Sequence, residues 1–167
     1  LIQSLKKRLP DARFFGIGGP KMQALGFQAL FPAEKLAVRG YAEVLKHYRE
    51  IAGIRRKLLS AMLSDPPQAF IGVDAPDFNL HLEKCLKARG IPAIHYVSPS
   101  VWAWRRERVH RIGRSVHRML ALFPFEPPIY EAAGVPVTFV GHPLAAHAAV
   151  LGSRRLAREQ LKLGTAQ

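Results

Sequence analysis

The feature that most constrains the fold is a regular alternation of short apolar runs with helix-like stretches. The runs are "RFFGIG" (13–18), "QAFIGV" (68–73), "IPAIHYVS" (91–98), "HRMLALF" (117–123) and "VPVTFVG" (135–141). Nearly continuous apolar runs of this length predict strands that are buried on both faces, and helical segments between them predict parallel connections. The sequence therefore predicts an α/β fold built on a Rossmann-like, doubly wound parallel sheet.

The charge balance is strongly basic. Lys and Arg number 25 against 12 Asp and Glu in 167 residues, which gives a formal net charge of +13. Such a field attracts polyanions, and the charge alone does not choose among nucleic acid, an anionic membrane face and a phosphorylated substrate. The single cysteine, Cys85, excludes an internal disulfide framework.

Two classes of protein are disfavoured by what the sequence lacks. No apolar run reaches the ~18–20 residues that a membrane-spanning helix needs, so we expect a soluble or peripheral protein. No cluster of His, Cys and acidic residues has the spacing of a metal site, so we expect no bound metal.

The segment "YAEVLKHYREIAGIRRKLLSAM" (41–62) predicts a long amphipathic helix, because its apolar residues recur near a period of 3.6. Its other face carries Lys46, Arg49, Arg55, Arg56 and Lys57. One interpretation is a core-facing stripe with a solvated back. The other is a basic helix on anionic lipid, with its apolar side or the preceding "LFPAEKLAVRGY" (30–41) entering the interface.

Four of the five predicted strands end in distinctive turns, which are "GIGGPK", "GVDAPDFN", "VSPSVWAWRR" and "VGHP". Ligands of open parallel sheets bind beyond the carboxyl ends of the strands, so we expect these turns to form one rim. In the first turn, Gly18 and Gly19 either let backbone amides approach a ligand or only reverse the chain tightly.

The second turn carries two acids with different expected roles. Asp74 directly follows an apolar strand, where partial desolvation would suit a carboxylate to act as a general base; a simple turn-forming role is the alternative. We expect Asp77 or Asn79 to cap the following helix, since Asp and Asn are favoured at that position.

The third turn interleaves tryptophans with cations, namely Trp102, Trp104, Arg105, Arg106, Arg108, His110 and Arg111. Such a segment can stack bases and pair phosphates, lie at a lipid headgroup boundary, or pack its tryptophans into the core below a solvated basic face. In the fourth turn, a loop role for His142 is favoured over a role as a base.

Several segments together resemble the N-terminal half of the bacterial lipid-A-disaccharide synthase family. They are "GIGGPKMQALGF", "LAVRGYAEVL", "GVDAPDFNLHLE", "IHYVSPSVWAWRRERVHRIGR", "LALFPFEPPIYE" and "FVGHPL". The resemblance runs over residues 1–150, and "HYVSPSVWAW" is its most specific string. It implies the N-terminal, acceptor-side domain of a GT-B glycosyltransferase that works without a cofactor.

The activity implied by the resemblance is the inverting transfer of 2,3-diacylglucosamine from its UDP donor to 2,3-diacylglucosamine 1-phosphate, with release of UDP. The implied partners are the UDP-diacylglucosamine donor, the diacylglucosamine 1-phosphate acceptor and the anionic inner-membrane surface, and nucleic acid is not among them. The implied location is cytoplasmic and peripheral, on the inner face of the inner membrane, and a homodimer of the full-length enzyme is compatible with the family.

The resemblance also assigns roles to residues. It implies that Asp74 is the catalytic base. It implies substrate contacts for Gly18, Gly19, Asn79, Ser98, Ser100, Trp102, Arg105 and His142. It implies membrane contacts for Leu36, Val38, Tyr41, Leu45, Arg55 and Arg56. The sequence departs from the family at Arg39, where an apolar residue is usual, and at Ala146, where Asp is usual.

The domain organisation implied by the resemblance is an acceptor domain over residues 1–150, followed by a linker and the start of a UDP-binding domain over residues 151–167. We expect a family Gly-rich loop before Leu1 and the UDP-binding domain after Gln167, and hence an inactive fragment when the 167 residues stand alone. The alternative hypothesis is a stand-alone basic module that binds anionic lipid or nucleic acid.

Overall fold

The structure is a computed structural model that describes residues 1–33, 41–101, 107–145 and 158, with no side-chain description for residues 41–48. It contains two compact units, residues 1–67 and 68–167. The boundary expected near residue 150 lies within residues 146–157, outside the described residues, so it stays a prediction.

The first unit combines three helices with a two-stranded parallel sheet among its described residues. Its elements are α1 (Ile2–Arg8), β1 (Phe15–Ile17), α2 (Pro20–Gln23), β2 (Gln28–Phe31) and α3 (Tyr41–Ser64). Phe15 pairs with Gln28 and Ile17 with Phe31. Strand β2 was not among the predicted strands, because its residues are mostly exposed or half-buried and give no continuous apolar run.

The predicted amphipathic helix corresponds to α3, which extends over 24 residues. Ile54, Leu58 and Met62 recur every four residues and are buried, so this half of the helix has the predicted core-facing stripe. Arg55 is half-buried and Arg56 is exposed.

The proposed membrane contacts N-terminal to that half are not described in atomic detail. Leu36 and Val38 lie outside the described residues, as do the side chains of Tyr41 and Leu45. The membrane role of this segment therefore stays a prediction. No helix in the described part of the chain is both long and apolar enough to cross a membrane.

The second unit carries four parallel strands in the order β3-β4-β5-β6. Its elements are β3 (Phe70–Val73), α4 (Pro76–Lys87), β4 (Ala93–Tyr96), α5 (Arg108–Ser115), β5 (Arg118–Ala121), α6 (Pro127–Glu131) and β6 (Val137–Phe139). Gly72 lies opposite His95, and His95 lies opposite Met119. The prediction of an α/β fold with parallel strands is confirmed, although each strand is shorter than its apolar run.

The core of the second unit lies where α5 and α6 meet the sheet. Val109, Ile112 and Val116 follow a helical period and are almost completely buried, together with Met119 and Tyr130. Helix α4 packs on β3 and β4 and also contacts α5. This arrangement holds the carboxyl ends of the four strands at one edge of the sheet.

Candidate functional site

The candidate site is the edge at which β3, β4, β5 and β6 end, which we call the rim. The rim consists of residues 74–75, 97–100, 122–126 and 140–144, which directly follow those strands. Among the predicted site residues, the fold brings Asp74, Ser98, Ser100 and His142 to this edge. Asn79 lies in the first turn of α4, close behind Asp74.

Asp74 lies in an unusual backbone conformation. Its φ is 52° and that of Ala75 is 43°, so two successive residues that are not glycine are left-handed. Each such residue costs roughly 1–2 kcal/mol, and Ala has no side-chain hydrogen bond to offset that cost. The amide of Asp74 donates to the carbonyl of Tyr96 at 2.9 Å, which ties the turn to the end of β4. Strain of this kind, held by the surrounding structure, is typical of functional turns.

Asn79 holds the same turn from the helix side. Its Nδ2 donates to the carbonyl of Asp74 at 2.8 Å and to that of Val73 at 3.4 Å. The prediction that Asp77 or Asn79 caps α4 is wrong, because Pro76 already occupies the first turn and Ala75 is the N-cap, with no side-chain cap. Asp77 instead lies in the first turn and accepts a hydrogen bond from Arg108 Nη2 at 3.3 Å.

Asp74 is exposed. The surrounding residues therefore do not supply the desolvation that we expected at the end of this strand. What the turn fixes is the position and direction of the backbone that carries the carboxylate. The role of Asp74 as a general base stays a prediction.

Ser98 is anchored by a buried tyrosine. Its Oγ lies 2.8 Å from Tyr130 Oη and 3.1 Å from the carbonyl of Pro99. Burial raises the pKa of Tyr130 to about 12, the hydrogen bond to Ser98 acts against that rise, and the charge of Glu126 adds to it. Tyr130 is thus neutral at physiological pH, and its hydroxyl can donate to Ser98 while Ser98 donates to Pro99. Ser100 is exposed, and Val97 has a left-handed φ of 81°.

The turn after β5 is held by Glu126, which the sequence analysis did not single out. Glu126 is only 2% exposed, and its Oε2 accepts hydrogen bonds from the amides of Leu122 at 3.0 Å and Phe123 at 2.9 Å. The only sequence signal is an acid within the apolar "LFPFEPP", which needs a buried partner if the segment is buried.

Three rings of the rim lie close to one another. The Phe123 ring stacks on that of Phe125 at 5.5 Å and lies 5.9 Å from the His142 ring. His142 Nδ1 accepts a hydrogen bond from the amide of Leu144 at 3.2 Å. His142 therefore has a loop-stabilising contact, as favoured from the sequence, and its substrate contact stays a prediction.

A buried pair of a glutamate and a histidine lies below the rim and was missed by the sequence analysis. Glu83 Oε1 and His95 Nδ1 are 2.7 Å apart, and both side chains are 0% exposed. Burial raises the pKa of Glu83, while the hydrogen bond to His95 and the charge of His95 oppose that rise. The available signal was a histidine in the middle of the apolar run 91–98, facing the same side as Ala93.

The remaining predicted substrate contacts belong to the first unit or fall outside the described residues. Gly18 and Gly19 belong to the first unit, where the carbonyl of Gly19 accepts the amide of Met22 at 2.9 Å. A Cβ on Gly18 would lie 2.8 Å from the Phe27 ring, so a close turn explains this glycine. Trp102 and Arg105 lie outside the described residues. No group of three or more metal-binding side chains occurs in residues 1–33, 49–101 and 107–145.

Comparison with known proteins identifies the family. The family described as lipid-A-disaccharide synthetase matches residues 1–167. A lipid-A-disaccharide synthase of Azoarcus sp. (strain BH72) is 62% identical over 163 residues, which are 98% of this chain and 42% of that protein. Those of Aromatoleum aromaticum and Dechloromonas aromatica are 59% and 61% identical over 99% and 98% of this chain, and the matches cover 42% and 43% of those proteins.

These relatives are much longer than the sequence that they match. The chain spans less than half the length of each of the three. The family match nevertheless extends over every one of its residues. The chain belongs to the lipid-A-disaccharide synthetase family.

Proposed function

We propose that residues 1–167 form the acceptor-side part of a GT-B glycosyltransferase that makes lipid A disaccharide. The reaction is inverting transfer of 2,3-diacylglucosamine from its UDP donor to 2,3-diacylglucosamine 1-phosphate. The observation that carries the proposal is the strained Asp74–Ala75 turn at the carboxyl end of β3, in a chain of this family. A carboxylate fixed at that edge is suited to a single-displacement transfer.

The proposed chemistry needs one base. The acceptor hydroxyl oxygen forms a bond to the donor's anomeric carbon, the bond from that carbon to the diphosphate oxygen breaks, and its electron pair leaves with UDP. Asp74 takes the proton that the acceptor hydroxyl loses. Because UDP is already a competent leaving group, no second carboxylate is required.

The family match favours this transferase over the alternative of a stand-alone basic binding module. The net charge of +13 has a use in the transferase, since both proposed substrates and the proposed inner-membrane surface are anionic. We place the enzyme on the cytoplasmic face of that membrane as a peripheral protein. A homodimer of the complete enzyme stays a prediction.

The proposal is tested with the full-length protein that contains residues 1–167. UDP release is expected only when both the acylated donor and the acylated acceptor phosphate are present. Absence of UDP release from the unaltered protein would refute the transferase.

The role of Asp74 is tested by Asp74→Asn, which we expect to lower kcat by roughly 10²–10⁴-fold, the usual contribution of a general base. Asp77→Asn is the matched control, because Asp77 is an exposed acid three residues away in the same segment. We expect that control to keep near-normal kcat. Near-normal turnover by Asp74→Asn would remove Asp74 as the base.

The membrane proposal is tested by flotation of the chain with vesicles. Binding is expected to phosphatidylglycerol vesicles, to weaken with salt, and not to extend to pure phosphatidylcholine or oligonucleotides at physiological salt. Arg56→Glu on α3 is expected to weaken binding more than Arg111→Glu on α5, which changes the charge equally. Equal losses would show that net charge, and not the α3 face, determines binding.

A further inference from the structure

Burial of the Glu83 and His95 side chains costs free energy on folding. A buried carboxylate and a buried imidazole lose their hydration, and such pairs often contribute less to stability than apolar side chains of the same volume. Beyond their mutual contact, Glu83 Oε2 and His95 Nε2 have no hydrogen-bond partner among the described residues. Stability of the core alone therefore does not account for a glutamate and a histidine at this position.

The pair lies on a short structural path to Asp74. His95 in β4 is directly opposite Gly72 in β3, which precedes Asp74 by two residues. Glu83 and Asn79 are one helical turn apart, so they share the face of α4 that rests on β3. Asn79 then donates to the carbonyl of Asp74.

Gly72 allows this close approach. A Cβ at position 72 would overlap Glu83 Oε1 and lie 2.9 Å from Asn79 Cβ. The two polar side chains of α4 are therefore seated directly against the strand that carries Asp74. Glu83 can occupy this position beside His95 only because the residue opposite His95 in β3 has no side chain.

The strained conformation of the Asp74–Ala75 turn depends on the position of α4. Its two left-handed residues lead directly into α4, which begins at Pro76. Rotation or lifting of α4 would let the turn relax to an unstrained conformation, and would move the Asp74 backbone with it.

We propose that Glu83 and His95 are positioning residues for Asp74, which fix α4 on β3 and β4 and so hold the carboxylate in its reactive place. This inference rests on the proposed transferase function. It assigns no contact with substrate to either residue. Their effect passes through the helix, through Asn79 and through the strained turn.

The test is a double-mutant cycle in the full-length protein. Glu83→Leu removes the hydrogen bond to His95, and we expect kcat to fall roughly 10–100-fold, as for a catalytic group displaced by about 1 Å, with KM changed less than about 3-fold. Glu83→Gln keeps the shape and a hydrogen-bonding oxygen, and is expected to recover most of the lost kcat. In an Asp74→Asn background, Glu83→Leu should cause no further loss, because the group that it positions is already disabled.

The control is Gly113→Ala, because the three nearest atoms to an added Cβ all belong to Val135, the closest being Cγ2 at 2.5 Å, and none belongs to Asp74, Asn79, Glu83 or His95. It is expected to lower Tm, and to lower activity by the same small fraction in both backgrounds. If Glu83→Leu does not fold, His95→Gln takes its place as the disrupting variant of the cycle, and Glu83→Gln remains the conservative variant.

Each result decides between the inference and its alternatives. A similar fractional loss in the wild-type and Asp74→Asn backgrounds would identify the pair as merely structural and overturn the inference. Unchanged kcat in Glu83→Leu, with an active unaltered protein, would overturn it while leaving the transferase intact. An inactive unaltered protein would overturn both.

Discussion

Replacing Gly72 by Ala tests whether α4 is seated on β3 as closely as the structure shows. The added Cβ would overlap Glu83 Oε1 and come within 2.9 Å of Asn79 Cβ and 3.1 Å of Asn79 Cγ. Overpacking of a core usually costs roughly 1–3 kcal/mol. Displacing Glu83 from His95 adds the cost of a buried polar group without its partner, roughly another 1–3 kcal/mol. We therefore expect the free energy of unfolding to fall by at least about 2 kcal/mol.

The measurement is urea unfolding of the 167-residue chain, followed by circular dichroism. Gly53→Ala is the matched control, since none of the described residues has an atom within 4 Å of a Cβ at that position in α3, the helix's own backbone aside. That substitution is expected to stabilise the chain by roughly 0.5–1 kcal/mol, because Ala favours helix over Gly. A Gly72→Ala chain that unfolds within about 0.5 kcal/mol of the unaltered one would refute the close seating of Glu83 and Asn79 on the strand.

Three further predictions concern Tyr130, Glu126 and Gly18. Tyr130→Phe removes the hydrogen bond to Ser98 and is expected to cost roughly 0.5–1.5 kcal/mol at neutral pH in urea unfolding. The pKa of Tyr130 is about 12 in the folded chain and 10.0 in the unfolded chain, so the contribution of this hydroxyl to stability is complete below pH 10 and is lost as pH rises to 12. The free energy of unfolding of the unaltered chain should therefore fall by about 3 kcal/mol between those pH values, and the Phe variant should lack that decrease. An unchanged pH dependence in the Phe variant would contradict the burial of this hydroxyl. Glu126→Ala is expected to destabilise the chain by roughly 2–4 kcal/mol and Glu126→Gln by less, because Gln can still accept both amide hydrogen bonds; equal losses would show that charge matters more than the bonds. Gly18→Ala should lower Tm by several degrees, through its clash with Phe27 and Met22, whereas unchanged Tm would indicate that the turn has room.

The strands of the second unit could be predicted from the sequence because each lies within a nearly continuous apolar run, although β6 is largely exposed. The run at 68–73 gave β3 and so placed Asp74 at its carboxyl end. Strand β2 could not be predicted in this way, since Gln28 and Ala29 are exposed and its partner β1 has only three residues. Its pairing arises from contacts between segments, which no local pattern encodes.

The contacts that hold the candidate site were largely unpredictable for the same reason. Asn79 was one of two residues expected to cap α4. The helix instead begins three residues before it, at Pro76, and the side-chain amide of Asn79 donates to the carbonyl of Asp74. Glu83 and His95 meet only because Gly72 lies opposite His95 in the sheet register. A single sequence shows a histidine in a strand and a glutamate in a helix, and gives no sign that they share a buried contact.

The rim separates the groups that fix geometry from the groups that remain open for chemistry. Each of three turns is held from behind by a side chain that is wholly or partly withdrawn from solvent, namely Asn79 below Asp74, Tyr130 below Ser98 and Glu126 below Phe123. Asp74 and Phe123 themselves are exposed. A backbone anchored in this way loses little further freedom when a ligand binds, so less binding energy is spent on ordering the site. Under the proposed transferase function, changes to an anchor should therefore alter kcat through the geometry of its turn, whereas changes to the exposed groups should alter contact with the substrate directly.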